Sequence, residues 1–347
     1  MNQNKALKLN IAVLFGGISI ERDISIASTQ TIIKALRSKG HTVTAIDTEQ
    51  GILKEYQEKE IFSYHVAQNP PDKYRYQANY NFKSNLFSYI KELKHYDLVF
   101  IALHGQFGED GHIQAVLELA NIPYTGSNVI SSALAMNKHF SKRLVQSAGI
   151  ITPNWRLIKQ LNHHDIHVHQ FPIVVKPNTQ GSSIAVNIAY DEDQFQAMIE
   201  QAFYYDNEIL IEDYIQGREF TIGVLDDQAL SPGEIITDED TFNYYHKYQQ
   251  SSVKEIFPAK LDQAMTICIK TAALTAHHAL GLSDYSRIDF MLDEKEQLWF
   301  LEANSLPGLT PTSLYPQSAN AANISIADAL EEICFKALGR YRRKNIR

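Results

Sequence analysis

A chain of 347 residues with 44% apolar and 21% charged side chains has globular composition and is too long for one compact core, which excludes a disordered protein and suggests roughly two or three domains. The formal charge of -8 excludes a whole-chain electrostatic footprint for nucleic acid or anionic lipid, while leaving room for a local basic pocket that holds phosphates. Cys268 and Cys334 lack CxxC partners and no apolar run reaches the ~18 residues of a spanning helix, so a disulfide framework, a zinc site and a membrane anchor are not expected and the chain is read as cytoplasmic.

From the N-terminus, the apolar run 11–15, then Gly16 and Gly17, then a helical stretch over 25–38 closed by Gly40 read as strand, glycine turn, helix. A buried strand over 97–103 leads into the glycine-punctuated loop 104–111 and a helix over 113–120, which is open α/β sheet architecture. Residues 50–95 have weak periodicity and point to no function. Met136, Phe140 and Leu144 recur at i, i+4 and i+8, with Gly149 where a C-terminal cap belongs, so one helix over 131–148 is expected. After Thr152-Pro153, strands are expected over 171–176, 184–188, 208–214 and 220–225, with a helix over 191–203: an α+β pattern unlike the first 130 residues. Thr152-Pro153 marks a boundary between the two patterns. The basic tail Arg340, Arg342, Arg343, Lys344, Arg347 reads as a solvated helix end rather than a phosphate or membrane contact. His163, His164, His167 and His169, between Asn162 and a polar stretch, read as a polar loop rather than a metal site.

The geometry of the last carboxylates can be derived. Runs 287–292 and 298–304 are apolar-rich and separated by the polar turn 293–297, which is a hairpin. Side chains two apart on a strand share a face, so Arg287 points with Asp289 and Glu302 with Asn304; a connecting loop over 294–297 sets Asp289 opposite Glu302. Two carboxylates and an amide oxygen then converge, which is costly unless cations neutralise them. Few hard oxygen donors suit magnesium, which keeps positions for water and phosphate. A surface hairpin with scattered charges is the alternative; Ile288, Phe290, Trp299 and Leu301, which suggest a buried opposite face, and the Asn304 spacing weigh against it. Upstream, a strand ending in Lys176 runs into Asn178-Thr179-Gln180-Gly181-Ser182-Ser183, whose amides can fold over phosphate oxygens while Lys176 supplies a point charge. No GxxxxGK[ST] or GxGxxG occurs, so Walker NTPase and nicotinamide oxidoreductase readings lose their best support despite Gly16-Gly17. The strand around Glu212 offers an edge that could read an adenine, and a purely structural strand would look much the same.

The ordered segments VLFGGISIERDIS, ALHGQFGEDGHIQ, PYTGS, MNKHFSK, VVKPNTQGSS, REFTIGV, RIDFML and LEANSLPGLTPTSL make the chain resemble bacterial D-alanine-D-alanine ligases of the ATP-grasp superfamily over nearly its whole length. The resemblance implies three domains, at 1–130, 131–222 and 223–347: an N-terminal Rossmann-like domain and the two halves of an ATP-grasp fold, with ATP held between the second and third. It implies Lys138, Lys176 and the lid residue Lys247 at the nucleotide phosphates, under Gly181, Ser182 and Ser183. Glu212 and the Ile215 backbone would contact adenine, and Glu219 the ribose. Asp289, Glu302 and Asn304 would bind two Mg2+ or Mn2+ ions, in agreement with the hairpin argument. Glu21 and His104 would surround the first D-alanine, and Ser182 and Tyr248 would link to Glu21 and close the lid. Arg287 and the Gly308 amide would stabilise a tetrahedral oxyanion, and Ser313, with Leu314 beside it, would take the second carboxylate.

Three departures from the family pattern stand out: the lid segment 241–248, TFNYYHKY, is about one residue short; Asp213 replaces a lysine often found beside the adenine-reading Glu; and 50–95 is long. The implied reaction is ATP-driven formation of D-alanyl-D-alanine through an acyl phosphate, for cell-wall precursor synthesis, by a homodimer with no nucleic-acid or membrane partner. D-alanyl-D-lactate and D-alanyl-D-serine ligases share most of these motifs, and Tyr248, rather than Phe, accompanies D-alanine in the family. A non-catalytic nucleotide-binding relative would lack a metal ligand, and none is missing.

Overall fold

The computed structural model describes residues 7–63, 88–159, 166–237 and 253–344. Strands β1 (Asn10–Phe15), β2 (Thr42–Asp47), β3 (Gly51–Ile52) and β4 (Leu98–Ile101) form a sheet in the order β3-β2-β1-β4. β1 pairs in parallel with both β2 and β4. Its last five residues and all of β4 are buried, as a parallel strand covered on both faces requires. Helix α1 (Arg22–Ser38) makes the crossover to β2, and Gly40, at φ +84, turns the chain out of it. α2 (Glu55–Ile61) and α3 (His112–Leu119) complete this layer.

The single helix expected over 131–148 is two, α4 (Val129–Met136) and α5 (Lys138–Ser147). The chain leaves helical geometry at Asn137, at φ -87 and ψ 102, and the Asn137 carboxamide accepts from the Phe140 N–H to start α5. An Asn side chain competes with the helix ladder, and apolar periodicity runs through such a break undisturbed.

A second sheet, in the order β5-β8-β6-β7, consists of β5 (Trp155–Lys159), β6 (Ile173–Pro177), β7 (Asn187–Ala189) and β8 (Glu208–Asp213), backed by α6 (Glu192–Tyr205). The strand expected from 184 begins only at Asn187, because Ser182, Ser183 and Ala185 all have positive φ and belong to a turn.

The third sheet runs β12-β11-β9-β13-β14 and is antiparallel throughout. Its members are β9 (Gly217–Leu225), β10 (Gln228–Ala229, an appendage of β9), β11 (Gly233–Thr237), β12 (Val253–Ile256), β13 (Tyr285–Asp293) and β14 (Leu298–Asn304), with α7 (Gln263–Ala279) on its back. The expected boundary at 222 falls inside β9. Ala135 and Val145 of α4 and α5 share a core with Ile222, Ile288 and Phe300 of this sheet.

Finally α8 (Leu314–Ala321) and α9 (Ile326–Lys344) return to the first layer, where Leu330, Ile333, Cys334 and Ala337 join the core of β1 and β4. Arg340 is therefore no solvated tail: its guanidinium donates to the Gly126 carbonyl at 2.8 Å and to Asp284 at 3.1 Å, while Arg342 and Arg343 are exposed. His167 and His169 are exposed, and His163 and His164 lie outside the described residues. No described helix is long and apolar enough to cross a membrane.

Candidate active site

The β13–β14 register sets Asp289 opposite Glu302 and Arg287 opposite Asn304, but not by the regular pairing expected from a 294–297 loop: the turn pairs Leu292 with Leu298, and a β-bulge between Asp289 and Phe290 shifts the register by one residue. The intervening turn is held by the Asp293 carboxylate, which accepts from the Lys295 and Gln297 N–H groups. Ile288, Phe290, Phe300 and Ala303 face the core, leaving the four polar side chains on the other face. Leu301, expected on the buried face with Trp299, lines the cleft beside Glu302 instead, because the bulge puts Phe300 in the core. Arg287 grips Asp289 through Nε at 3.0 Å and Nη2 at 2.8 Å; Thr221 Oγ1 donates to the same carboxylate at 2.7 Å and Asn304 Nδ2 at 3.2 Å. Burial works against the guanidinium charge, but Asp289 and then Glu302 outweigh it and raise the Arg287 pKa above its ordinary value. Glu302 meets Lys138 Nζ at 3.3 Å. Each carboxylate of the hairpin thus has a cation beside it, which is what makes the cluster affordable away from bulk water.

On the second sheet, Trp155 and Val174 both lie in register with Glu212, and Lys176 is two residues beyond Val174, so all four side chains share one face. Glu212 is 2% exposed and lies between Lys142 and Lys176, each 2.9 Å away. Burial pushes the Glu212 pKa up, and the two lysines, Lys142 foremost, bring it below the ordinary value. Burial brings Lys142 itself down to about 8, against the pull of Glu212 and helped by the charge of Lys176. Lys142 carries no expected role, although it closes the segment MNKHFSK. Its spacing of i+4 from Lys138 on α5 is the one signal that could have marked it.

The 178–183 loop is tied down at both ends. Lys138 donates from its backbone to the Asn178 carbonyl and from Nζ to the Gln180 carbonyl, at 3.0 and 2.6 Å. Ser182 donates its hydroxyl to Glu21, the N-cap of α1. Gly105 and Gly181 press on the same carboxylate: a Cβ on Gly105 would lie 2.6 Å from Glu21 Oε2, and on Gly181 3.0 Å. His104 lies between Ser28 at 3.3 Å and Glu109 at 3.4 Å; burial disfavours its charged form, but Glu109 and Glu21 prevail and its pKa is raised. The Gly16-Gly17 turn has its own packing reason, since a Cβ on Gly16 would collide with the Arg22 guanidinium, itself paired with buried Asp47.

Ser313 sits at the N-cap of α8 with its Oγ turned to Thr310, so the first N–H groups of that helix are left uncapped by it. Gly308 packs beside it, where a Cβ would come 3.0 Å from Ser313 Oγ.

Many of these residues line three adjoining spaces. A cleft between the second and third sheets, about 870 Å3 with its open mouth, is bounded by Lys176, Ser183, Glu212, Ile215, Glu219, Arg287, Asp289, Glu302 and Leu314. A smaller space lined by Lys138, Gly181, Glu302 and Asn304 adjoins it at Glu302. That space in turn shares Gln180 with a third cavity, bounded by Glu21, Gly105, Asp110 and Thr179. Lys247 and Tyr248 lie outside the described residues.

A cleft between two antiparallel sheets, Lys176 in one wall and the hairpin carboxylates in the other, with an N-terminal, mainly parallel sheet, is the ATP-grasp fold of ATP-dependent ligases. Residues 10–127 match the family described as D-ala D-ala ligase N-terminus, and 144–334 the family described as D-ala D-ala ligase C-terminus. The chain is 36% identical over 325 residues to the D-alanine--D-alanine ligase of Geotalea uraniireducens (strain Rf4), covering 93% of this chain and 94% of that one. It is similar to the crystal structure of the D-alanine--D-alanine ligase of Bacillus anthracis complexed with ATP, with a TM-score of 0.75 and 29% identity over 97% of this chain and 99% of that one. It is also similar to the VanG D-Ala:D-Ser ligase of Enterococcus faecalis, with a TM-score of 0.76 and 28% identity over 95% and 100%. The chain belongs to the D-alanine-D-alanine ligase family.

Proposed function

We propose that this chain joins two D-alanines into D-alanyl-D-alanine at the expense of ATP, as a cytoplasmic homodimer supplying a cell-wall precursor. The observation that carries the reading is the adjacency of the three spaces: the cavity at Glu21 shares Gln180 with the space at Lys138 and Asn304, which shares Glu302 with the cleft lined by Asp289. An amino acid anchored by its ammonium at Glu21 would then direct its carboxylate toward the side of Lys138 and Glu302 on which a terminal phosphate would lie. Residues 1–130 would hold that amino acid. The second unit, first placed at 131–222, and the third at 223–347 would hold the nucleotide between them, with β9 assigned whole to the third.

A carboxylate and a triphosphate repel each other, and a carboxylate oxygen is a poor acyl leaving group. Lys138 and Lys176, with Lys247 of the lid, would offset the phosphate charge, and the Gly181-Ser182-Ser183 turn would offer its amides to the phosphate oxygens. Glu212 and the Ile215 backbone would hold the adenine and Glu219 the ribose. The donor chemistry of Asp289, Glu302 and Asn304 fits magnesium or manganese: two carboxylates and one amide, in adjacent registers of one hairpin and beside the cleft. Bound there, two divalent ions would supply further neutralisation of phosphate charge.

The first D-alanine carboxylate attacks the γ-phosphorus, giving an acyl phosphate and ADP. The amine of the second then attacks the acyl carbon, and the resulting tetrahedral species expels inorganic phosphate. Glu21 holds the first ammonium, with Ser182 and Tyr248 closing over it and His104 behind. Arg287 and the Gly308 N–H face the oxyanion, and Ser313 and the N-terminus of α8, beside Leu314, receive the second carboxylate.

The test is ADP and phosphate release with D-alanine, D-serine, D-lactate and L-alanine as second substrates near neutral pH. D-alanine is expected to be preferred, on the strength of Tyr248. Preference for D-serine would favour the second reading, suggested by the likeness to the Enterococcus faecalis enzyme. No ADP release with any amino acid would leave only a nucleotide-binding protein.

A further inference from the structure

Lys142 is wholly buried, and its ammonium lies 2.9 Å from Glu212 Oε1 and 5.0 Å from the centre of the Trp155 ring. The contact with Glu212 falls outside hydrogen-bond geometry, so charge rather than a directed bond holds it. The other Glu212 oxygen is taken by Lys176 at 2.9 Å. The two lysines differ in one respect: Lys176 lines the nucleotide cleft, whereas Lys142 stands behind Glu212 and lines none of it.

We propose that Lys142 is a positioning residue of the nucleotide site, keeping the Glu212 carboxylate ionised and aimed at the base once Lys176 turns its charge to the nucleotide phosphates. The inference rests on the proposed nucleotide site. A carboxylate buried this deeply takes up a proton unless a cation stays beside it, and a protonated carboxyl gives up part of its acceptor capacity. Without nucleotide, two lysines share the task. When a triphosphate enters, Lys176 faces phosphate oxygens and its hold on Glu212 weakens. Lys142 has no phosphate within reach, so it remains, and the Lys142–Glu212 pair is neutral as a unit. Trp155 supports the arrangement from the adjacent strand: it lies in register with Glu212, its ring is near the ammonium, and its indole N–H donates to His139 Nδ1 at 3.0 Å.

The test is calorimetric titration of the full chain with ATP and with inorganic tripolyphosphate, comparing Lys142→Met, Glu212→Gln and the double variant. Lys142→Met should weaken ATP about tenfold or more, the usual consequence of stranding a buried charge. It should leave tripolyphosphate within about twofold, since only the base end is affected. In the Glu212→Gln background, where there is no charge to hold, Lys142→Met should cause no further loss. Wild-type ATP affinity in Lys142→Met overturns the proposal. So does an equal loss for tripolyphosphate, or a full additional loss in the double variant, because either would make Lys142 a general packing residue. If Lys142→Met does not fold, the comparison of the double variant with Glu212→Gln carries the test alone: equal ATP affinity supports the proposal and unequal affinity overturns it. Failure of the unsubstituted chain to bind ATP would instead remove the nucleotide site itself.

Discussion

Replacing Arg287 with Ala separates the stability of the hairpin from its chemistry. The guanidinium makes contacts with Asp289 of 2.8 and 3.0 Å, and the two side chains are 11% and 8% exposed, so solvent screens the pair little. After truncation Asp289 keeps two uncharged donors, Thr221 Oγ1 at 2.7 Å and Asn304 Nδ2 at 3.2 Å, and no cation. Breaking such a pair from one side costs about 3–5 kcal/mol of stability, because the remaining charge stays buried. In a chain of this size that is on the order of 10 °C in melting temperature. Asp289→Asn added to Arg287→Ala removes the stranded charge and should return much of the loss. Turnover behaves otherwise. Arg287 faces the proposed oxyanion, and loss of one such donor lowers turnover by about 10²-fold or more. ADP release with D-alanine, alongside a melting curve with and without ATP, reads both effects: the folded Arg287→Ala protein should bind ATP and make little dipeptide. Turnover within a few-fold of wild type would refute the role given to Arg287, and an unchanged melting temperature would refute the buried-pair argument.

Gly105→Ala should raise the KM for D-alanine by tenfold or so and leave that for ATP unchanged. The residue has φ +66, its Cβ would lie 2.6 Å from Glu21 Oε2, and such strain costs on the order of 1–3 kcal/mol; separate KM measurements check it. Asn137→Ala removes the cap that starts α5 one residue before Lys138, which should cost about 1 kcal/mol of stability and raise the KM for ATP several-fold; a denaturant melt and ATP titration decide. His277, 2% exposed and 2.8 Å from Ser286 Oγ, is pushed by burial down to about 4. The unfolded chain takes up this proton near 6.5 and the folded one near 4, so stability is lost as pH falls through that window, by about 3 kcal/mol in all. A His277→Gln variant should show a flatter melting temperature between those pH values, and an unaltered pH slope would exclude the assignment.

The sequence by itself determined the local geometry. The β13–β14 hairpin was legible as two apolar runs around a polar turn, but counting residues back from the turn, where Leu292 pairs with Leu298, would set Asp289 opposite Leu301; a β-bulge between Asp289 and Phe290 is what sets it opposite Glu302. The strand–turn–helix start of the first layer and the lysine-tipped strand before the 178–183 loop were legible as apolar runs bounded by glycine and polar residues, and the order of short motifs carried the family.

Tertiary structure alone decided what meets across long stretches of chain. The break at Asn137 is invisible to apolar periodicity, because the residues on either side keep the helical repeat; it is fixed where Lys138 donates to the Asn178 carbonyl, on a loop far along the chain. The return of α9 to the first layer, which turns Arg340 from a tail residue into a bridge to Asp284, depends on a surface that exists only after β1 and β4 have paired. The Lys142–Glu212–Lys176 row draws its members from α5, β8 and β6. No local pattern encodes that meeting, because a buried charge is tolerated only where the finished fold delivers its partners.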